Sequence, residues 1–425
     1  MDFRVIADRI ASDIASGVLR PGEKLLPQRT FARRHNLAPS TVARVYGELV
    51  RRGLAVGEVG RGTFIRAATD SPELPLAEPA TLQVDLELNF PVVPQQTALI
   101  STALNRMLRP DVLATSLSPV GVTGTPQARL AASHLIPLDR RFVFTGNGRQ
   151  AIAAAIAALV PAGERLGVER LTYSVVKGIA ARLGVQLVPL PVDDEGLVPQ
   201  GFDGVRAVYL QPALHNPLGA SMSRSRRAAV VSALQDNGIY AIEDRVNSFL
   251  HDEPLLDSPR TVVVDSLSKR VAPGLTLGIV AAPAEVADRV VTAVRSGGWA
   301  AQRFALDAAA GLVNDGTVAS IVALKRQDAA TRQAIAGRVL DGFTVRRDVR
   351  AYHLWWELPD PWRAETFVAA AARRGIAVTP AAAFAVGSRT PNAVRLALAS
   401  PPLELLESAL TMLASLARSA PDAVD

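Results

Sequence analysis

From about residue 85 to about residue 420, short β-branched runs alternate with longer stretches of helical periodicity. "RFVFTGNGRQAIAAAIAALV" (141–160) reads as strand, turn and helix, and "AVYLQP" (207–212) as a strand. Residues 223–237 read as a helix, and "GIYAIED" (238–244) and "RTVVVDS" (260–266) as further strands. Alternation at this spacing builds an α/β domain with a mostly parallel sheet, because each parallel neighbour needs a crossover long enough for a helix. Ligands of such sheets collect at the carboxyl ends of the strands. The residues just past those strands are therefore the first candidates for a site.

A chain of 425 residues exceeds one ordinary core, so two or more domains are expected. No apolar run approaches the roughly 20 residues that span a bilayer. The N-terminus carries acidic residues inside its periodic pattern, unlike a signal peptide. The absence of cysteine excludes disulfides, thiolate catalysis and Cys-ligated metals. The five histidines are scattered, with no pair spaced on one helix face, which argues against a zinc site. A soluble cytoplasmic protein is the expectation.

The net charge of +6 is concentrated at one end: residues 1–66 hold 12 Lys/Arg against 6 Asp/Glu, and the remainder sums to zero. That asymmetry points the head toward an acidic partner, of which nucleic acid is the usual one. Val5, Ile6, Ile10 and Ile14 recur at helical spacing and Gly17 stops the helix. Pro27 suits the start of a short second helix through Gln28 to His35. "APSTVARVYGELVRRG" reads as a third, opened by Pro39 or Ser40, buried through Val42, Val45 and Leu49, and closed by Gly53. "LAVGEVGRGTFI" reads as a hairpin with a glycine-rich tip. Three helices and a hairpin form a winged helix-turn-helix, an α+β head whose third helix enters the major groove. Arg33, Arg34, Arg51 and Arg52 suit either DNA contact or solvated helix faces, whereas Arg44, beside Thr41, suits DNA. Residues 67–84, proline-bearing and without apolar period, read as a linker.

In the body, "TGNGRQ" leaves a strand and opens a helix whose backbone N–H groups can hold a phosphate. Asn216, Asp244 and Lys269 follow other strands, at separations of 28 and 25 residues. Lysine is rare here, four against 42 arginines, so its retention at 269 between two serines and a Pro-Gly suggests a chemical role. Lys177 and Lys325 lack such context and read as surface residues. Lysine, carboxylate and amide beside a phosphate cradle suit pyridoxal 5′-phosphate. The amine condenses with the aldehyde, the carboxylate keeps the ring nitrogen protonated, and the amide bonds the ring hydroxyl.

Two resemblances sharpen these readings. "GVLRPGEKLLPQRTFARRHNLAPSTVARVYGELVRRGLAVGEVGRGTFI" resembles the DNA-binding domain of the GntR family of bacterial regulators. It implies contacts to a double-stranded DNA operator from Arg29, Ser40, Thr41, Arg44, Arg61, Gly62 and Thr63. Ala38-Pro39 departs from the Ser-Arg often found in that family, which alters the operator read. "HNPLG", "SLSKRVAPGLTLG" and "VRLALA" resemble the class I/II aminotransferases of fold type I, over roughly residues 85–420. The last part, about 310–420, would form a smaller α+β subdomain. This resemblance implies a cofactor in internal aldimine with Lys269, Tyr173 stacked on its ring, and Asn216 and Asp244 on its polar edge. Gly148, Arg149, Gln150, Ser266 and Ser268 would hold its phosphate, and Arg395 a substrate or effector α-carboxylate.

A GntR head (1–66) on such a body (85–420) resembles the MocR-type regulators, which implies a homodimer. Two positions depart from the pattern. Thr276 stands where the family carries a phosphate-clamping arginine, and Val246 where it carries a tyrosine bonded to the ring hydroxyl. Arg270 and Arg245 are the nearest substitutes in sequence. Three functions follow: a regulator with pyridoxal phosphate or its amino-acid adduct as effector, with the cofactor held weakly or differently; an aminotransferase with an accessory head; or a regulator whose body has lost the cofactor.

Overall fold

The computed structural model describes residues 2–15, 18–19, 23–52, 54–58, 62–65, 82–252, 254–256, 258–387 and 389–421. In the head, helices Phe3–Ala15, Gln28–Arg34 and Pro39–Arg51 precede an antiparallel pair, Ala55–Glu58 with Gly62–Ile65. Pro39 occupies the first turn of the third helix, where its missing N–H costs nothing. Ile6, Ile10, Val42, Val45 and Leu49 are buried together. Val5, expected in that stripe, is instead 59% exposed. Phe3, Ala7 and Ile10 complete the period, and a residue two beyond Phe3 falls on another face of a 3.6-residue turn. The segment before the second helix adds to the wing, Leu25 N–H donating to Thr63 O and Ile65 N–H to Glu23 O. Gly17, Gly53, the tip 59–61 with Arg61, and nearly all of the expected linker lie outside the described residues.

The body is built on seven strands in the order Arg141–Thr145, Gly278–Ala282, Thr261–Ser266, Tyr240–Asp244, Ala207–Leu210, Arg165–Glu169, Gln186–Leu190. Only Gly278–Ala282 runs against the rest. The carboxyl ends of the other six therefore share one edge. Helix Gly148–Leu159 lies against the sheet through Ala151, Ala154 and Ala155, small residues that let a helix approach closely, with Ile152 and Ile156 filling the space beside them.

A second, five-stranded sheet has the order Val345–Arg347, His353–Glu357, Ala393–Ala397, Ile376–Pro380, Val84–Leu86. Trp356, Trp362 and Phe367 pack edge to face beneath it. Its last strand comes from the start of the body and pairs in parallel with Ile376–Pro380. The 23-residue helix Thr317–Val339 reaches from the first core to the second. Among the described residues no helix is long and apolar enough to cross a membrane, and no cluster of metal-ligating side chains occurs.

Candidate functional site

At the shared carboxyl edge lies a cavity of about 280 Å³, at the small end of the range for small-molecule sites. Gly148, Arg149, Tyr173, Asn216, Asp244 and Lys269 line it, as do Ser266, Ser268, Val246 and Thr276. Gln150 is not at the wall; its N–H is capped by the Asn147 side chain at 3.0 Å. Gly148 is required for the wall's shape, since a Cβ there would stand 2.8 Å from Ser266 Cβ.

Lys269 sits on the short helix Leu267–Arg270 that follows strand Thr261–Ser266. Its amine donates to Asn247 Oδ1 at 2.9 Å. Asn247 is oriented by its own amide, which donates to Leu214 O at 3.0 Å, leaving the oxygen for the lysine. Leu214 holds φ +48°, a left-handed conformation unusual for its type, in the loop that presents Asn216. Burial lowers the Lys269 pKa from 10.5 to about 8; the Asp244 carboxylate opposes this and Arg395 adds to it.

Asp244 ends its strand and accepts from Tyr209 Oη at 2.5 Å, Gln211 Nε2 at 2.9 Å and Val246 N–H at 3.0 Å. Burial raises its pKa, and these donors, together with the Lys269 charge, pull it back. Gln211 also accepts from the Asn216 N–H at 3.0 Å, so one side chain sets both polar residues. The Asn216 side-chain oxygen is buried without a partner. A buried acceptor without a partner on a cavity wall is free to take a hydrogen bond from a ligand there.

Arg395 is not at the cavity wall. Its guanidinium donates to Glu87 O at 2.7 Å and Thr379 Oγ1 at 3.1 Å, over the Phe384 ring. Burial lowers its pKa to about 10, while Glu87, Tyr173 and Asp85 oppose that shift. Both expected substitutes for the missing phosphate arginine are committed elsewhere. Arg270 pairs with Asp265 at 2.6 Å, and Arg245 with Glu243 at 3.0 Å. Thr276 instead joins a cluster of hydroxyls, its Oγ1 being 2.6 Å from Ser268 Oγ and 3.2 Å from Ser266 Oγ.

The structure corrects the reading of two lysines. Lys325 is fully buried, donating to Lys269 O at 2.8 Å and Val271 O at 2.6 Å, so it braces the segment that carries the Lys269 amine. Lys177 is half-buried, its amine 3.2 Å from Ala382 O and Ala383 O. Neither pattern has a local sequence signal, because the acceptors lie 54 to 206 residues away. Asn247, Gln211 and Tyr209 were likewise missed; Gln211, a polar residue ending the apolar run "AVYL", offered the one visible hint.

On the head, Arg29, Ser40, Arg44 and Gly62 are exposed and Thr41 and Thr63 partly so. The Arg44 guanidinium rests 4.1 Å from the Phe3 ring centroid, which holds a long side chain in place on the third helix. Arg33 and Arg34 are exposed, but Arg52 is not free for DNA. It is buried between Glu48 at 2.8 Å and Asp8 at 2.7 Å.

The fold is that of an α/β body, with a polar cavity at the carboxyl ends of its strands, behind a winged helix-turn-helix head, and comparison with known proteins gives each part a family. Residues 122–413 match the family "Aminotransferase class I and II", and residues 4–65 match "Bacterial regulatory proteins, gntR family". The chain belongs to the class I and II aminotransferase family, with a gntR-type head in the arrangement of the MocR-type regulators. It is 28% identical to the "Uncharacterized HTH-type transcriptional regulator YdeF" of Bacillus subtilis (strain 168), over 97% of this chain and 93% of that one. It is 29% identical to the "Vitamin B6 salvage pathway transcriptional repressor PtsJ" of Salmonella typhimurium, over 65% of this chain and 66% of that one. Among solved structures, the multiple substrate aminotransferase of Thermococcus profundus superposes with TM-score 0.73 at 20% identity, covering 82% of this chain and 95% of that one.

Proposed function

We propose that the protein is a DNA-binding transcription regulator whose body takes pyridoxal 5′-phosphate, or an amino-acid adduct of it, as effector. The observation that carries this is the cavity itself. It places a lysine amine whose pKa burial lowers to about 8 beside a hydrogen-bonded carboxylate and an amide with an orphan oxygen. The cofactor, when bound, supplies an aldehyde and a ring that withdraws electrons from an attached amine. Lys269 would hold it covalently, Asp244 its ring nitrogen and Asn216 its ring hydroxyl, with Tyr173 against the ring face. Arg395 spends one guanidinium nitrogen on Glu87 O and Thr379 Oγ1, while its Nε is buried without a partner, so it keeps a donor for a carboxylate of the effector. PtsJ, named as a repressor of vitamin B6 salvage, supports the choice of effector. A homodimer belongs to this reading, since paired heads read paired half-sites.

The intact trio of Lys269, Asp244 and Asn216 favours a second reading, an aminotransferase with an accessory head. An absorbance spectrum of the purified chain with added pyridoxal phosphate tests both. A visible band present in the wild type and absent in Lys269→Ala is expected. A wild type without that band contradicts both, and sustained conversion of an amino acid to its keto acid would decide for the enzyme.

A further inference from the structure

We propose that residues 360–364, beside the body's second sheet, form a docking surface for the head of the same chain, with Arg363 gripping Asp8 on the first helix and fixing the direction of the third. The head is a basic unit, 12 Lys/Arg against 6 Asp/Glu over residues 1–66, so a cation of the body is drawn to it only at a local acidic group. Asp8 is such a group. Its carboxylate is divided between two arginines: Oδ1 takes Arg52 Nη1 at 2.7 Å within the head, and Oδ2 takes Arg363 Nη2 at 2.9 Å from the body. Arg52 caps the third helix, its N–H donating to Glu48 O at 2.9 Å and its Nε to the Glu48 carboxylate at 2.8 Å. One carboxylate thus ties the end of the recognition helix to the body. Arg29, Ser40 and Arg44 are exposed while this contact is made, so docking aims the DNA-reading face and does not cover it.

The body presents Arg363 from a braced base. The residue caps helix Ala364–Ala372, and the Thr366 hydroxyl holds its backbone, donating to Arg363 O at 2.9 Å. Beside it, Trp362 is buried and donates through Nε1 to Ser419 O at 2.9 Å. The Asn392 side chain accepts from Ala364 N–H at 2.9 Å and donates to Trp362 O at 2.8 Å. The side chains of Arg363 and Asp8 are 24% and 41% exposed, so the pair is partly screened and weak in itself. Head and body share a chain, however, which makes the docking intramolecular, and a modest contact then biases the arrangement. Helix Ala364–Ala372 leads into strand Ile376–Pro380, whose Thr379 lies opposite Arg395 and accepts from it at 3.1 Å. Trp362, Phe367, Val378 and Val394 pack these elements together. The cation that holds the head and the cation proposed for the effector therefore stand on one packed unit. Only that last link rests on the cofactor reading; the docking stands without it.

The chain has no cysteine, so spin labels on Ser12→Cys and Ala369→Cys, exposed positions on helices Phe3–Ala15 and Ala364–Ala372, can report the distance between head and body. Double electron–electron resonance on the full labelled chain, diluted with unlabelled chain, should give one narrow distance. Arg363→Gln and Asp8→Asn should each broaden it, and the two together should add nothing beyond either alone. Arg363→Lys, which keeps the charge, should leave it narrow. The two charge-removing variants lie on different cores, so a fold damaged by one leaves the other to test the docking. Affinity for a DNA fragment selected from a random pool should fall about 2- to 5-fold in Arg363→Gln, the worth of one partly exposed ion pair. A broad distance in the labelled parent, or a narrow one unchanged in both variants, overturns the docking. A distance that vanishes on dilution overturns it too, because the head would then rest on a second copy. A broadened distance with unchanged DNA affinity overturns the claim that docking aims the recognition helix. No arm uses the cofactor, so the reading of the cavity stands or falls separately.

Discussion

On the proposed reading Lys269 condenses with an aldehyde, which requires it to spend time uncharged, and its burial favours this by taking water away. Burial brings its pKa to about 8 against an opposing carboxylate, Asp244. Only the neutral amine attacks, so the rate of cofactor capture should rise with pH and level off above about 8. Stopped-flow absorbance from pH 6 to 10 checks this; a rate that still climbs in proportion to hydroxide beyond pH 9 would contradict it. Lys269, Asp244 and Asn216 were legible in the sequence because each lies at or shortly past the end of an apolar run: Asp244 closes strand Tyr240–Asp244, and Lys269 and Asn216 follow strands Thr261–Ser266 and Ala207–Leu210. Their orienting partners were not. Asn247 is set by Leu214, 33 residues away, and Asp244 by Tyr209 at 35 and Gln211 at 33, contacts that only sheet order creates. The departure at Thr276 was plain in the sequence, but the fate of Arg270 and Arg245 depended on Asp265 and Glu243 pointing inward.

Between elements, the telling contact is that of helix Thr317–Val339 with the Lys269 loop through Lys325. Burial lowers the Lys325 pKa to about 7, with Asp328 opposing. The sign follows: below about pH 7 both folded and unfolded chains hold the proton. Between there and the ordinary lysine value of 10.5 the unfolded chain holds more, so stability rises with pH across that window. In Lys325→Met the carbonyls of Lys269 and Val271 lose a donor, which should cost about 1–3 kcal/mol. The variant should melt lower at pH 7 and show a shallower rise in melting temperature toward pH 10 than wild type. Equal slopes would mean that this lysine does not titrate in the fold. Alternating strands and helices could be read from the chain because periodicity is local. Strand Val84–Leu86 could not, since three residues leave little pattern and its partner Ile376–Pro380 is remote in sequence.

For the molecule as a whole, the head concentrates the excess positive charge, and the body holds a cavity suited to a phosphorylated aldehyde. A ligand in one alters DNA binding by the other only if the two arrangements of the chain differ in affinity for it. Coupling of this kind typically changes affinity about 5- to 150-fold. The direct measurement is the affinity of the full chain for a DNA fragment selected from a random pool, with and without pyridoxal 5′-phosphate, at fixed salt. Wild type, Lys269→Ala and Arg44→Ala should be compared. Wild-type affinity should shift at least fivefold with the cofactor, within that range. Lys269→Ala should bind DNA with no such shift, and Arg44→Ala should lose DNA binding while keeping the visible band. A wild-type affinity indifferent to the cofactor, or a shift that persists in Lys269→Ala, would contradict the account.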